Sequence, residues 1–226
     1  VSLIKTLPAV ALLATALPVV SAGDAHADTE YLPTYWNGKK VYLSVACHDG
    51  NDDIPGGDCI SNSGCDGYWE NGASNKIANA AVAGDGAGRN LLERFYYVSK
   101  GRGTLNENVE NSNEWGADLH VPLHTNASNE TCSNTNAGAH GTKALYEGSG
   151  DERCARILQR KVGADSPGTD DDPVKRDDLG ELSLPDAPSC YLEAEFHTWQ
   201  KGVDWIRKET SWSYRIGGTV DEFFGY

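Results

Sequence analysis

Residues 104–126 read TLNENVENSNEWGADLHVPLHTN, and the change of pattern inside them decides the fold class. Thr104 followed three residues later by Glu107 is a capping box: the hydroxyl and the carboxylate satisfy backbone N–H groups that the first turn leaves unpaired, so a helix is predicted from here to about Asn113. ADLHVPLH, from Ala117 to His124, then reads as a strand. The same succession recurs on both sides. Upstream, KKVYLSVACHDG (39–50) holds a buried strand from about Lys40 to Cys47, with His48 at its exit. The loop from Asp49 to Trp69 is rich in Gly, Asp and Asn, and its length marks it as functional. ENGASNKIANAAVAG (70–84) has helical periodicity from near Ser74, with Ile77 and Ala81 on one face, and Phe95 to Val98 reads as another strand. Downstream come a strand from Lys143 to Tyr146, a second capping box at Ser149 to Glu152 opening a helix to about Val162, and a surface loop over 163–178. Late strands near Leu182 and from Cys190 to Phe196 precede a helical C-terminus. Strands alternating with helices predict an α/β fold: a single domain with a central mostly parallel or mixed β-sheet flanked by helices.

At 226 residues the chain suits one domain with one substantial core. Residues 1–27 carry one lysine (Lys5), an apolar run from Leu7 to Val20, and small residues at Val20-Ser21-Ala22 and Ala25-His26-Ala27. That is the pattern of a secretory signal peptide, with cleavage expected after Ala27 and Ala22 the second choice. The run is shorter than the roughly 20 residues a spanning helix needs, and Pro8 and Pro18 interrupt it, so no stable membrane insertion is expected once the signal is removed. The remaining 28–226 is the expected catalytic domain, secreted to the extracellular space or cell wall and expected to be monomeric. Six cysteines behind an export signal suit disulfides, with Cys59 and Cys65 the first pair expected; no CxxC is present to suggest a thiolate zinc site. A formal charge of −14 repels polyanions and offers no footprint for nucleic acid.

Three residues have the chemistry of a hydrolytic metal site. Zinc hydrolases use three protein ligands of the His and carboxylate type and leave one position for the attacking water. His48 follows the first strand, Glu70 stands just before the first helix, and His124 ends a later strand. The carboxyl ends of strands in an α/β sheet are where loops converge, so residues distant in sequence can meet there. Taken singly, each has an ordinary explanation: a hydrogen-bonded surface histidine, or a glutamate favouring the positive end of a helix.

The blocks CHDG, WENGASNKIA, SNEWGADLHVPLHTNAS, GTKALYEG and PSCYLEAEFHTW occur in the order seen in zinc-dependent N-acetylmuramoyl-L-alanine amidases of the Amidase_3 type, which the chain resembles from about Lys40 onward. The resemblance implies zinc ligands at His48, at Glu70 with Asn75 behind it, and at His124 in the block Ala117-Asp118 to Asn126-Ala127. It also implies a catalytic carboxylate at Glu193, ahead of Phe196. The implied activity is hydrolysis of the amide between N-acetylmuramic acid and L-alanine in peptidoglycan. The alternatives are a secreted zinc peptidase acting on protein or peptides, and a non-catalytic wall-binding domain.

The chain departs from the family at Pro122, where Ser is common two residues before the third ligand, and near Asn108, where an Arg is common. Glu195 occupies a position that is usually Gly. Residues two apart in a strand face the same side, which lets both Glu193 and Glu195 look toward the metal. Glu193 is assigned as the base because it keeps the family spacing from Pro188 and to Phe196, with Glu195 the alternative. By the same parity His120 shares a face with His124 and is a candidate for a supporting role. Asp49, Asn51 and Asp53 resemble the start of a calcium loop, but Ile54 and Ile60 stand where Gly and Glu are required. His140 and His197 read as structural or substrate-facing.

Overall fold

The computed structural model describes residues 28–47, 63–84, 88–128, 132, 140–169 and 172–226, with the backbone of 18–19. The expected signal segment, apart from that backbone, therefore lies outside the described residues, as do His48, Cys59 and the Asp49, Asn51, Asp53 run.

Alternation within two central strands builds the core. In β3 (Lys40–Val45) and β5 (Leu119–Asn126), Val41, Leu43, Val45, Leu119, Val121 and Leu123 project to one face and join the main apolar cluster. That face is covered by Ile77, Ala78, Ala81 and Val82 of α1 (Glu70–Ala83), by Cys154, Ala155, Leu158 and Val162 of α3 (Ser149–Val162), and by Ile216 and Val220 of α6 (Tyr214–Phe224). The intervening residues Tyr42, Ser44, His120 and His124 point the other way and are equally buried. Over them lie α2 (Leu105–Trp115) and the single turn α4 (Gly180–Ser183). One face of the sheet is thus oily and the other polar.

Among the described residues the sheet has eight strands in the order β1-β2-β4-β3-β5-β8-β6-β7. The other strands are β1 (Pro18–Val19), β2 (Thr29–Tyr31), β4 (Tyr97–Lys100), β6 (Lys143–Tyr146), β7 (Val174–Lys175) and β8 (Tyr191–Phe196). β4, β3, β5 and β8 run parallel at the centre, and antiparallel pairs occur at β1·β2, β2·β4 and β6·β8. A single α/β domain with a mixed sheet is what the alternation of elements predicts. α5 (Gln200–Ile206) packs against β8.

Several boundaries differ from the sequence reading. The first helix begins at Glu70 rather than near Ser74, because its first turn is fixed by tertiary bonds: Asn71 Nδ2 donates to Ala46 O at 2.7 Å, and the Ser74 hydroxyl donates to Leu123 O. β4 starts at Tyr97, since Phe95 takes φ 67° to close the turn at 92–94. The Thr104–Glu107 box is present, and α2 runs on to Trp115 before Gly116, at φ 71°, ends it. The second predicted box does not form: the N-cap is Gly148, which has no side chain to accept a bond, and only the return contact is present, the Asp151 carboxylate accepting from Gly148 N at 3.2 Å. Leu182 is helical, not in a strand: it sits in α4 and packs with Leu145 and Tyr191.

The expected Cys59–Cys65 pairing is not found. Cys65 is buried in a turn whose N–H is bonded to His197 O, and it bonds to Cys132, tying the approach to α1 to the segment after β5. Cys154–Cys190 joins α3 to the start of β8, and Cys47 is also disulfide-bonded. Among the described residues, no helix is long and apolar enough to cross a membrane.

Candidate metal centre

The carboxyl ends of β3, β5 and β8 meet the N-terminus of α1, and two of the three expected ligands come together there. The Glu70 side chain is not an exposed helix-terminus charge; the residue is 1% exposed. Its Oε1 accepts from Thr125 N at 2.9 Å and lies 3.3 Å from Nδ1 of His124, itself 1% exposed. His124 stacks on Tyr191 with ring centroids 4.9 Å apart. Two donors bound at about 2.0–2.1 Å in a tetrahedral zinc site stand about 3.3 Å apart, so the observed separation fits a shared cation as well as a shared proton. Among the described residues no group of three His, Cys, Asp or Glu side chains is arranged to hold a metal, and His48, the third expected ligand, lies outside them.

Glu193 is paired in register with His124 across β5 and β8. Its Oε2 is shielded from solvent and has no hydrogen-bond partner among the described residues. Burial, reinforced by Glu70 and Glu181 and opposed by His124 and Arg176, pushes its carboxyl up to about 8. Glu195 is differently placed. Between His124 and Asn126 of β5 the register with β8 shifts, so that Glu193 and Phe196 become the successive partners. This irregularity removes the strict period-2 relation on which the shared-face expectation rested. Glu195 is fully buried, and its carboxylate accepts from Gly141 N, the Ser166 hydroxyl and, at 2.9 Å, Phe196 N. It anchors loops.

The residue the sequence reading missed is Glu181. It is 3% exposed, and its Oε2 lies 2.9 Å from Nε2 of His124. Its Oε1 accepts from the Ser44 hydroxyl and stands 3.6 Å from Nε2 of His120. Burial acts to raise this carboxyl, but the imidazoles of His120 and His124 reverse the effect and bring it down to about 2. His124 is caught between two carboxylates. Burial opposes its charged form, yet Glu181 and Glu70 together raise its pKa well above the usual imidazole value. One cue was available: LGELSL (179–184) places a lone glutamate in an apolar run, and buried carboxylates are rare unless paired.

The other described histidines, His120, His140 and His197, each stack on an aromatic ring. His120 is fully buried, stacked on Tyr42 at 5.5 Å, with Nδ1 3.0 Å from the Ser112 hydroxyl. His197 stacks on Tyr68 at 5.4 Å and its Nδ1 lies 3.0 Å from the Thr125 hydroxyl. His140 stacks on Trp199 at 5.0 Å.

A pH dependence follows for the metal-free protein. Glu193 has a folded pKa above its ordinary value of 4.5, so its contribution to stability is complete below 4.5 and is lost as pH rises toward about 8. His124, also raised, acts with the same sign above 6.5. Urea denaturation in EDTA is expected to show the fold less stable at pH 8 than at pH 5, by an amount on the order of a few kcal/mol. Glu193→Gln is expected to reduce that slope and leave the His124 part; an unchanged slope in the variant contradicts the assignment.

Comparison with known proteins agrees with this architecture. A family model described as N-acetylmuramoyl-L-alanine amidase matches residues 61–216, more than half of the chain. No curated protein matches in sequence. Among solved structures, the chain is similar to the amidase AmiC2 of Nostoc punctiforme at 13% identity and a TM-score of 0.67, covering 83% of this chain and 98% of that one. Ami1 of Mycobacterium smegmatis aligns at 16% identity and a TM-score of 0.66, covering 85% and 99%. An amidase from Clostridium difficile 630 aligns at 16% and 0.64, covering 84% and 98%. At these identities the structural likeness shows a shared fold.

Proposed function

The chain belongs to the N-acetylmuramoyl-L-alanine amidase family, and from that premise we propose that it is a secreted zinc-dependent hydrolase. Its proposed substrate bond is the amide between the lactyl group of N-acetylmuramic acid and L-alanine in peptidoglycan. The observation that carries the reading is the 3.3 Å approach of His124 Nδ1 to Glu70 Oε1 at the carboxyl ends of the central strands, with Oε2 of Glu193, which has no partner among the described residues, on the adjoining strand.

Glu70 and His124, with His48, are the proposed ligands of one zinc ion. When bound there, zinc supplies a water made acidic enough to attack near neutral pH and a Lewis acid for the scissile carbonyl. Glu193 would take a proton from the attacking water as the water oxygen adds to the carbonyl carbon. Glu193 then returns the proton to the alanine nitrogen as the C–N bond breaks, leaving a lactyl carboxylate and a free amine. A carboxyl moved by burial into the neutral range suits this exchange, because it can take and give a proton at the working pH. Glu70 is held by the Thr125 N–H, which ties this proposed ligand to the backbone of β5.

The purified zinc-loaded protein is expected to release new alanine amino termini from isolated peptidoglycan and not from casein. Release from casein alone makes it a peptidase. A zinc-loaded protein inert on both, yet retained by cell-wall material, makes it a binding domain.

A further inference from the structure

We propose that Glu181 is the positioning residue of the metal site: its carboxylate holds the Nε2–H of His124, which fixes the imidazole so that Nδ1 faces the metal. The proposal rests on the zinc reading above and deepens it.

The geometry is that of a carboxylate behind a ligating imidazole. Glu181 Oε2 is 2.9 Å from His124 Nε2, and Glu70 Oε1 is 3.3 Å from Nδ1 of the same ring. An imidazole that ligates through one nitrogen is neutral and keeps its proton on the other, which needs an acceptor when buried. Glu181 supplies it. The two ring nitrogens point in different directions, so Glu181 stands away from the Glu70 side of His124.

The carboxylate is itself held. Its Oε1 accepts from the Ser44 hydroxyl, and Ser44 Oγ in turn accepts from Asn108 Nδ2 at 2.9 Å. His120 Nε2 is 3.6 Å from the same oxygen and its Nδ1 is fastened to Ser112. The Glu181 backbone carbonyl accepts from the Ser189 hydroxyl at 2.7 Å, which fixes the turn to the chain entering β8. Ser44, His120 and His124 come from adjacent parallel strands with side chains on the polar face of the sheet, beneath α2 and α4. A buried carboxylate with this many partners is costly to maintain for stability alone, since apolar packing does that work as well.

The test is zinc affinity, read by chelator competition on the full chain, for wild type, Glu181→Gln, Glu181→Ala and His124→Ala. Melting of each metal-free protein is followed alongside. Wild type is expected to bind one zinc and His124→Ala to lose it, while Glu181→Gln weakens binding about 10- to 100-fold, the usual cost of removing such a partner. NMR of the zinc-loaded wild type is expected to show His124 protonated at Nε2. If wild type and Glu181→Gln bind within twofold of each other while His124→Ala does not bind, the positioning role is overturned and zinc stands. If wild type binds no zinc, the zinc reading falls and the proposal with it. Should Glu181→Ala fail to fold, the isosteric Gln variant and the tautomer decide.

Discussion

Glu193→Gln is expected to lower turnover on peptidoglycan by about a thousandfold or more while zinc content stays at the wild-type level. The size follows from what general acid–base catalysis contributes, about 10²- to 10⁴-fold. The amide keeps the shape of the side chain but cannot accept the proton from water or deliver it to the leaving amine. Zinc content is unaffected because Glu193 is not one of the proposed ligands. The variant also removes a buried carboxyl whose ionisation the site resists, so the metal-free protein gains stability at pH 8. Loss of activity with gain of stability is a signature that a structural residue does not give.

Glu195 supplies the contrast. Glu195→Ala strips the acceptor from Gly141 N, Phe196 N and the Ser166 hydroxyl. Buried donors left without a partner cost about 1–3 kcal/mol each, so this variant is expected to melt early. Near-normal turnover in Glu193→Gln, measured beside a folded and inactive Glu195→Ala, reverses the two roles.

The sequence was informative wherever a local rule had one answer. The capping box at Thr104 and Glu107 forms as read, and alternation in LHVPLH sends leucine and valine to the core and both histidines to the polar face. Glu70 and His124 lie next to fold-defining features, a helix start and a strand end, and the structure brings them together. What escaped depends on tertiary geometry. The register shift opposite Asn126 cannot be seen in YLEAEF, and it is what removes Glu195 from the relation expected of it. Cys65 chooses Cys132 because the fold brings 65 against the end of β5, while proximity in sequence favoured Cys59. Glu181 belongs to a four-residue turn with no helical periodicity to mark it, and its partners are 57 and 137 residues away.

His124→Ala is expected to abolish both zinc binding and turnover and to destabilise the metal-free fold, which separates it from every other variant considered. His124 holds three things at once: the proposed metal through Nδ1, the Glu181 carboxylate through Nε2, and the face of Tyr191 by stacking. Removing the imidazole leaves Glu181 with Ser44 and the more distant His120 as its described neighbours on that side, and a buried charge deprived of its partner costs about 3–5 kcal/mol. The penalty depends on pH with a definite sign. Glu181 has a folded value of about 2 against an ordinary 4.5, so its stabilisation is present above 4.5 and lost as pH falls toward about 2. His124 drives part of that lowering, so in His124→Ala the Glu181 value rises and the loss begins at higher pH. Acid titration of the metal-free variant, followed by near-ultraviolet circular dichroism, is therefore expected to show unfolding shifted upward in pH from wild type. An acid transition unmoved by the substitution means that Glu181 and His124 are not coupled, and the imidazole then has to find its orientation from Tyr191 and Glu70 alone.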